Sequence, residues 1–529
     1  MRRSLTLLLL VVVALVVPAR RARAADPSFD DLAKRFKAAL SSEDPVVRAR
    51  AFGLLYDTRD PQVVALIVKS VRTIRGQQEK IRRDQDKVEA AYETQFEKKL
   101  KADRWFENST RSGKDLDRYN RGVKKIARKL DALMLRLKSL ENDFTRTRAQ
   151  LDGAVMAMGK VLDNVPTESF AAALQKATSS WLDGGDTDDR IRWVQALTDV
   201  KRPIVSERLR AAAANPELDA KVRAAALRGL ADRKDPAAHD LAVRLLEGEA
   251  AWDLQAAAIQ ALKRLHEKRS IAPLIAFLGR KDIKRLREDA HAALKSLTGQ
   301  KHGPYQDPWQ RWWTDHEKTF RMPDKPVKPD QGGEVPEGVT FYGIHTFSDR
   351  VLFILDISGS MDQQPTAKDE NGRTIPTGPP KIETAKKELV GAINNLGEGA
   401  RFNVIFFNHE VVPWQSRMVE ATESVKRRAI KWVEDQKPIG TTNIHDALEA
   451  AFSIALKATG APLVDTIFFL TDGTPTSGKI QDPERILRAV EEWERAAPIK
   501  INTIGVGRCA EDLLRRLAEM TGGEFRIRR

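Results

Sequence analysis

The sequence predicts a multidomain protein in which an all-α repeat solenoid, interrupted by a long inserted coiled coil, precedes an α/β doubly wound (Rossmann-like) domain. Three observations predict this. A nine-residue, Ala-rich helical pattern recurs at a fixed spacing before residue 300. A heptad seam of apolar residues lies within that region. Beyond Gly338 the chain changes to short, continuously apolar runs that alternate with amphipathic stretches. A chain of 529 residues also exceeds what one core accommodates, so two to four domains are expected. Hydrophobic residues at 42% and charged residues at 31% are those of a globular protein rather than a disordered one.

The repeat is read by aligning helices. Val222–Leu230, Leu254–Leu262 and Leu286–Leu294 share their apolar and small positions, and each begins 32 residues after the last. An earlier copy spans Val47–Leu55, and a degenerate one begins at Ile191. Small Ala residues on the apolar face let neighbouring helices approach closely. Asp44-Pro45 and Asp235-Pro236 mark helix starts, where Pro is tolerated. The pattern resembles HEAT-like repeats, helix pairs that stack around a shared core.

Between the first copy and the others, Tyr119, Val123, Ile126, Leu130, Leu133, Leu137, Leu140 and Phe144 follow alternating steps of three and four. Leu151, Val155, Met158 and Leu162 continue the seam after one seven-residue step. Upstream, Ile74, Ile81, Val88, Tyr92, Phe96 and Leu100 form a sparser stripe. Two matching stripes around a short polar break predict an antiparallel coiled-coil hairpin, with a parallel homodimer through the same seam as the alternative. Pro308-Trp309-Gln310-Arg311-Trp312-Trp313 reads as a cap that plugs the last repeat rather than a ligand platform. Met322–Glu337, with four Pro and two Gly, reads as a linker.

At the amino end, Arg2 and Arg3 precede an apolar run from Leu5 to Val17, and Ala22-Arg23-Ala24 offers a cleavage site. A signal peptide over 1–24 is therefore expected, with an uncleaved anchor as the alternative. The run is shorter than the about 20 residues a spanning helix needs. The expected order is then N-terminal repeat helices over 25–65, the coiled-coil hairpin over 66–163, repeats with the Trp-rich cap over 164–318, a linker over 319–338 and the α/β domain over 339–529. Formal net charge is +15; the first 24 residues hold five Arg and no acid, which leaves +10. That excess reads as a solvated helical surface, or as a basic face for acidic partners or anionic lipid head groups. No motif supports nucleic-acid binding. Cys509 is the only cysteine, so an exported chain of this sequence forms no internal disulfide.

In the α/β part, Val351–Leu355, Phe402–Phe407, Thr466–Leu470 and Ile499–Val506 read as buried parallel strands. Helical stretches over Lys381–Leu396, Glu420–Asp435, Ile444–Thr459, Pro483–Ala496 and Ala510–Thr521 lie between and after them. Three segments fall at or beyond strand carboxyl ends, where open α/β sheets hold ligands: Asp356-Ile357-Ser358-Gly359-Ser360, Gly440-Thr441-Thr442-Asn443 and Thr471-Asp472-Gly473. Asp356, Ser358, Ser360, Thr442 and Asp472 offer two carboxylates and three hydroxyls, with no nitrogen or sulfur. Such donors suit a hard cation, Mg²⁺ first, with Ca²⁺ or Mn²⁺ as alternatives. Zinc wants His or Cys.

The order Asp-x-Ser-x-Ser, then Thr in a Gly-Thr-Thr-Asn loop, then Thr-Asp-Gly after a strand resembles the metal-ion-dependent adhesion site of von Willebrand factor A (VWA) domains, over about 339–529. Ile504-Gly505-Val506-Gly507 and Thr521-Gly522-Gly523 resemble the family's last strand and closing turn. The resemblance implies that Ser358, Ser360 and Thr442 reach the metal directly or through hydrogen bonds. It implies that Asp356 and Asp472 act directly or through water, and that one coordination position stays open for a partner's Asp or Glu carboxylate. Thr441 stands where many relatives have Gly. The Pro/Gly-rich stretch Gln363–Lys381 departs from the family as an insertion, read either as a disordered loop or as a partner-selecting cover over the metal.

Catalysis is not expected. A phosphoryl-accepting Asp356 would want a second carboxylate where Ser358 stands, and no nucleophile elbow, zinc helix or P-loop is present. His345, His409 and His445 read as structural or surface residues, although His445 lies close in sequence to Thr442. The expected function is an exported protein-binding, adhesion or assembly module acting in the periplasm, cell envelope or medium. It would hold an acidic group of a protein partner through a divalent cation. The alternatives are a solenoid and coiled-coil scaffold with an accessory VWA domain, and a metal-dependent hydrolase.

Overall fold

The computed structural model describes residues 28–107, 113–181, 187–248, 251–281, 283–327, 338–368, 370, 374–456, 462–496 and 498–528. The expected signal peptide, half of the 319–338 linker and part of the 363–381 insertion lie outside the described residues. The chain divides into two compact units, 1–184 and 185–529.

In the first unit, α1 (Phe29–Leu40) and α2 (Pro45–Arg50) precede α3 (Gln62–Glu107), α4 (Gly113–Asn164) and α5 (Thr167–Trp181). The repeat copy at Val47–Leu55 is not one continuous helix. α2 passes into a 3₁₀ turn over Ala51–Leu55 whose Ala51, Phe52 and Leu55 are buried. Gly53 weakens α-helix in the middle of this copy, while Phe52 anchors the turn edge-on against Phe36, with ring centroids 5.0 Å apart. The long helices α3 and α4 pack on one another. Arg82 lies over the Phe144 ring at 5.2 Å, and Arg118 over the Trp105 ring at 5.8 Å. These pairs run in opposite sequence directions, so the two helices are antiparallel. Leu130, Leu140, Leu151, Met158 and Leu162 of the α4 stripe are buried.

The second unit begins with α6 (Thr187–Thr198), α7 (Pro203–Ala214), α8 (Ala220–Asp232), α9 (Ala237–Glu247), α10 (Trp252–Leu265), α11 (Ile271–Leu278), α12 (Arg285–Thr298) and α13 (Gln306–His316). The three repeat copies occupy α8, α10 and α12, and α6 packs on α8, α8 on α10, and α10 on α12. Their shared positions Ala226, Leu230, Ala258, Leu262, Ala290 and Leu294 are buried. The small residues allow the contact: a side chain at Gly229 would come within 2.5 Å of the Thr198 hydroxyl. On α13, Trp309 and Trp313 are buried, and Trp309 meets His291 and His302 edge-on at 6.2 and 5.0 Å.

The α/β part opens with a short hairpin, β1 (Val339–Phe341) and β2 (Ile344–Thr346). It continues with β3 (Arg350–Asp356), β4 (Thr366–Lys368), β5 (Thr374–Pro376), α14 (Lys381–Asn394), β6 (Arg401–Phe407), β7 (Val411–Pro413), β8 (Val419–Glu420), α15 (Glu423–Glu434) and α16 (Ile444–Leu456). It ends with β9 (Thr466–Thr471), α17 (Pro483–Ala496), β10 (Lys500–Val506), α18 (Glu511–Thr521) and β11 (Phe525–Arg528). The main sheet runs β11-β10-β9-β3-β6-β7, with β8 also on β6. The ladders from β11 to β6 are parallel; β7 and β8 pair antiparallel. Both faces are covered, which is why the strands read as unbroken apolar runs. Leu352, Ile354, Ile467 and Phe469 pack with α16, α17 and α18; Val351, Phe353, Phe468 and Leu470 pack with α14 and α15. From β3 the chain goes first to β6 on one side and later to β9 on the other. The loops after β3 and β9 therefore part at a topological switch point.

The last repeat grips the amino ends of these strands. Arg285 of α12 donates to the Asp465 carbonyl just before β9, at 2.7 Å. Lys500, first in β10, pairs with Glu288 at 2.7 Å and Asp289 at 3.3 Å. The other Glu288 oxygen accepts from the Thr346 hydroxyl and the Phe347 N–H, at 2.7 and 2.6 Å. Arg285 and Lys500 are buried, and a buried cation stripped of its partner is costly. Glu288→Ala leaves Lys500 with Asp289 alone and the Thr346 and Phe347 donors without their acceptor, so it should lower unfolding stability by about 1–3 kcal/mol. Urea denaturation measures this, and a loss near zero contradicts the role assigned to Glu288.

Candidate functional site

The switch point between β3 and β9 holds the predicted residues. Asp356 ends β3 with no exposure to solvent. Its Oδ1 accepts from the Ser358 N–H at 2.7 Å, and its Oδ2 accepts from the Thr471 hydroxyl at the end of β9. The Ser358 and Ser360 hydroxyls lie 3.1 Å apart, and Ser360 Oγ donates to Asp472 Oδ1 at 2.7 Å. One continuous string of hydrogen bonds thus joins Asp356, Ser358, Ser360 and Asp472.

Thr442 enters from the loop before α16. Its N–H donates to the Thr476 hydroxyl at 3.0 Å, and its carbonyl accepts from the Thr476 N–H at 2.9 Å. Backbone bonds tie that loop to the first segment: Gly359 N–H to Gly440 carbonyl at 3.0 Å, and Ile439 N–H to Ile357 carbonyl at 2.8 Å. Gly440 has φ +79°, and a side chain there would strike the His409 ring at 2.2 Å, so this turn requires glycine. At Gly473 the backbone lies so close that an added Cβ would come within 2.8 Å of the Thr442 hydroxyl oxygen. All five predicted residues are therefore brought to one crevice, with Thr442 beside the Asp472-Gly473 turn.

Three contributors were not legible in the sequence. Thr471 and Thr476 position Asp356 and Thr442 through their hydroxyls. Lys381, at the base of the 363–381 insertion, extends its ammonium to Asp472 Oδ2 at 2.7 Å. The insertion carries the small antiparallel sheet β4-β5, closed by Thr377 N–H to Pro365 carbonyl at 2.8 Å and Lys381 N–H to Gln363 carbonyl at 3.1 Å. Sequence separations of 91 for Lys381–Asp472 and 115 for Thr471–Asp356 hide these contacts from any local pattern. His409 faces the Gly440 turn, and the other two histidines are engaged elsewhere. His445 bonds Asp446 at 2.7 Å and packs on Trp493, while His345 lies in β2 against Phe347. His445, Asp446 and Glu449 cluster within ligand reach, but Lys479 already pairs with Glu449 at 2.7 Å.

Burial pushes the Asp356 carboxyl up to about 6, and the neighbouring charge of Asp472 adds to the shift. Two buried carboxylates and three hydroxyl oxygens, with Lys381 bonded to Asp472 and Gln363, make a donor set that fits a small hard cation.

The fold agrees with two family models. Residues 377–527 match the family model of the von Willebrand factor type A domain, and residues 206–295 match that of HEAT repeats. The chain carries HEAT repeats followed by an α/β VWA domain. The first match begins downstream of Asp356, Ser358 and Ser360. Inter alpha-trypsin inhibitor, heavy chain 4 of Mus musculus is 29% identical over 167 residues, covering 29% of this chain and 16% of that protein. The von Willebrand factor A domain-containing protein 3A of Homo sapiens is 30% identical over 182 residues, covering 33% and 13%. The chain thus spans under a fifth of either relative's length. Among solved structures, the von Willebrand factor type A from Catenulispora acidiphila aligns at 25% identity and TM-score 0.29, covering 35% of this chain and 40% of that one. Among the described residues, no helix is long and apolar enough to cross a membrane.

A pH prediction follows from Asp356. Its folded pKa lies above the unfolded value, so the native state holds the extra proton. Stability falls as pH rises from about 4 to about 6, and above that range the buried charge costs about 3 kcal/mol. In chelator, Asp356→Asn should remove this dependence and be more stable than wild type at neutral pH. Melting temperatures across pH check it; parallel curves for the two proteins would contradict the burial argument.

Proposed function

We propose that this protein is an exported, non-enzymatic binding module whose VWA domain holds a carboxylate of a partner protein through a divalent cation. Mg²⁺ is the first choice, with Mn²⁺ or Ca²⁺ as substitutes. The observation that carries the reading is the hydrogen-bonded string Asp356–Ser358–Ser360–Asp472 with Thr442 alongside, all at the switch point of the sheet. Ser358, Ser360 and Thr442 would hold the ion by their hydroxyl oxygens, and Asp356 and Asp472 directly or through water. Mg²⁺ wants about six oxygens, and the position left by the chain suits a partner's Asp or Glu. The cation supplies an electrostatic anchor; the protein's own residues orient it and exclude competing ligands. The secreted character proposed here rests on the Arg-Arg start, the apolar run and the Ala22-Arg23-Ala24 site.

Two further observations support a binding role. The solenoid occupies the amino ends of the strands, through Arg285, Glu288 and Lys500, so the carboxyl-end crevice is not covered by α12. The insertion with β4 and β5 stands at the rim, rooted by Lys381, where it would select partners.

Calorimetric titration of Mg²⁺ and Mn²⁺ into the full chain tests the reading. Saturable binding in wild type that disappears in Asp356→Ala is the expected result, and no binding in wild type at millimolar cation sinks it. Lys381→Met gives a second expectation. Without the ammonium, Asp472 loses its internal counter-charge, so the metal-free variant should be less stable by about 1–3 kcal/mol. Saturating Mg²⁺ should restore most of the loss, as read by thermal melting with and without chelator.

A further inference from the structure

At the proposed cation site, on which this inference rests, we infer that Lys381 makes occupancy depend on the partner: its ammonium weakens binding of the ion alone, and the partner's carboxylate restores it. Lys381 is the first residue of α14, where the helix dipole favours an anion rather than a cation. Its side chain is led into the crevice instead of into solvent. It is 15% exposed, and its ammonium bonds Asp472 Oδ2 at 2.7 Å. It passes close over Gly507, just after β10, where an added Cβ would come within 3.3 Å of both Cε and Nζ. The root is fixed as well: the Lys381 N–H donates to the Gln363 carbonyl at 3.1 Å, and Nζ reaches Gln363 Oε1 at 3.5 Å. A cation placed against its helix dipole and held among ligand oxygens breaks a local rule, and such breaks gather at functional sites.

An ammonium has no lone pair, so it cannot ligate a metal and acts on a neighbouring cation only by repulsion. Ionised around a cation, Asp356 and Asp472 bring two negative charges and Lys381 one positive, which leaves one negative. A divalent ion then makes the crevice positive by one charge, and a partner's carboxylate brings it to neutral. Without Lys381 the ion alone reaches neutrality, and a carboxylate would make the crevice negative. Lys381 therefore couples the two ligands, and by reciprocity each raises the affinity of the other by the same factor. Asp356 and Asp472 are buried, where such charge effects exceed those at a surface. Lys381 need not leave when the ion enters. A carboxylate has about four lone-pair sites, and Asp472 gives one to Ser360 and one to Lys381. The crevice thus fills when a partner arrives rather than on cation alone.

The test is calorimetric titration of Mg²⁺ into the full chain, in chloride and in acetate at matched ionic strength. Acetate is the carboxylate probe, and matching removes general screening. Lys381→Met should bind Mg²⁺ about tenfold or more tightly than wild type in chloride, since a unit charge beside the ion is gone. Lys381→Gln keeps a hydrogen-bond donor for Asp472 without the charge and should gain likewise. Lys381→Arg keeps the charge and should stay near wild type. Acetate should tighten Mg²⁺ binding by wild type and Lys381→Arg, and do little for Lys381→Met and Lys381→Gln. Adding Asp356→Ala to Lys381→Met should abolish the gain, which assigns it to the crevice. The sign separates this role from a brace: if Lys381 only held Asp472 in place, Lys381→Met would weaken binding. Unchanged or weaker binding by both uncharged variants, with wild type still binding, overturns the inference and leaves the cation site standing. Equal action of acetate on wild type and Lys381→Met overturns the coupling to the partner. No Mg²⁺ binding by any of the four proteins in either buffer removes the cation site and the inference with it.

Discussion

The burial of the Asp356 carboxylate at the end of the central strand is the constraint on which the rest of the site depends. A charge removed from water there must be met by donors or by a cation. The fold meets it with the Ser358 N–H on one oxygen and the Thr471 hydroxyl on the other. Each donor comes from a different strand end, and the β3–β9 ladder holds those two ends side by side. The same pairing brings Ser360 to Asp472, and the loop bonds to Gly359 and Ile357 bring Thr442 beside Gly473. The raised Asp356 pKa shows that these donors offset only part of the burial cost. A positive ion is the natural complement, and Lys381 already supplies one to Asp472.

The two ends of the sheet do different work. At the amino ends, Arg285, Glu288, Asp289 and Lys500 lock the last repeat to the VWA domain through partnered, buried charges. Such pairs add little net stability over an apolar contact, but they demand one geometry. At the carboxyl ends the polar groups are held by turns rather than by another domain, which suits a surface that must accept something external. The solenoid thus presents the domain from behind. The α3–α4 pair lies in a separate unit of the chain.

Much of this protein was determined by its sequence. The 32-residue recurrence in α8, α10 and α12 needs small residues in contact, and small residues are visible in the letters. The continuous apolar runs of β3, β6, β9 and β10 mark a sheet covered on both faces, because only double burial removes the alternation. Asp356, Ser358, Ser360, Thr442 and Asp472 were legible because short oxygen-bearing residues gathered at strand ends have few structural reasons to recur in that order. Tertiary structure alone decided the rest. Thr471 and Lys381 matter only because strands and helices distant in sequence converge, and nothing local distinguishes them from any Thr or Lys. The Val47–Leu55 copy shows the reverse case: its pattern reads as helix, but Gly53 and the packing of Phe52 on Phe36 turn it into 3₁₀. Periodicity reports which face is apolar. What the other face meets, and which charge answers a buried carboxylate, depends on the three-dimensional course of the chain.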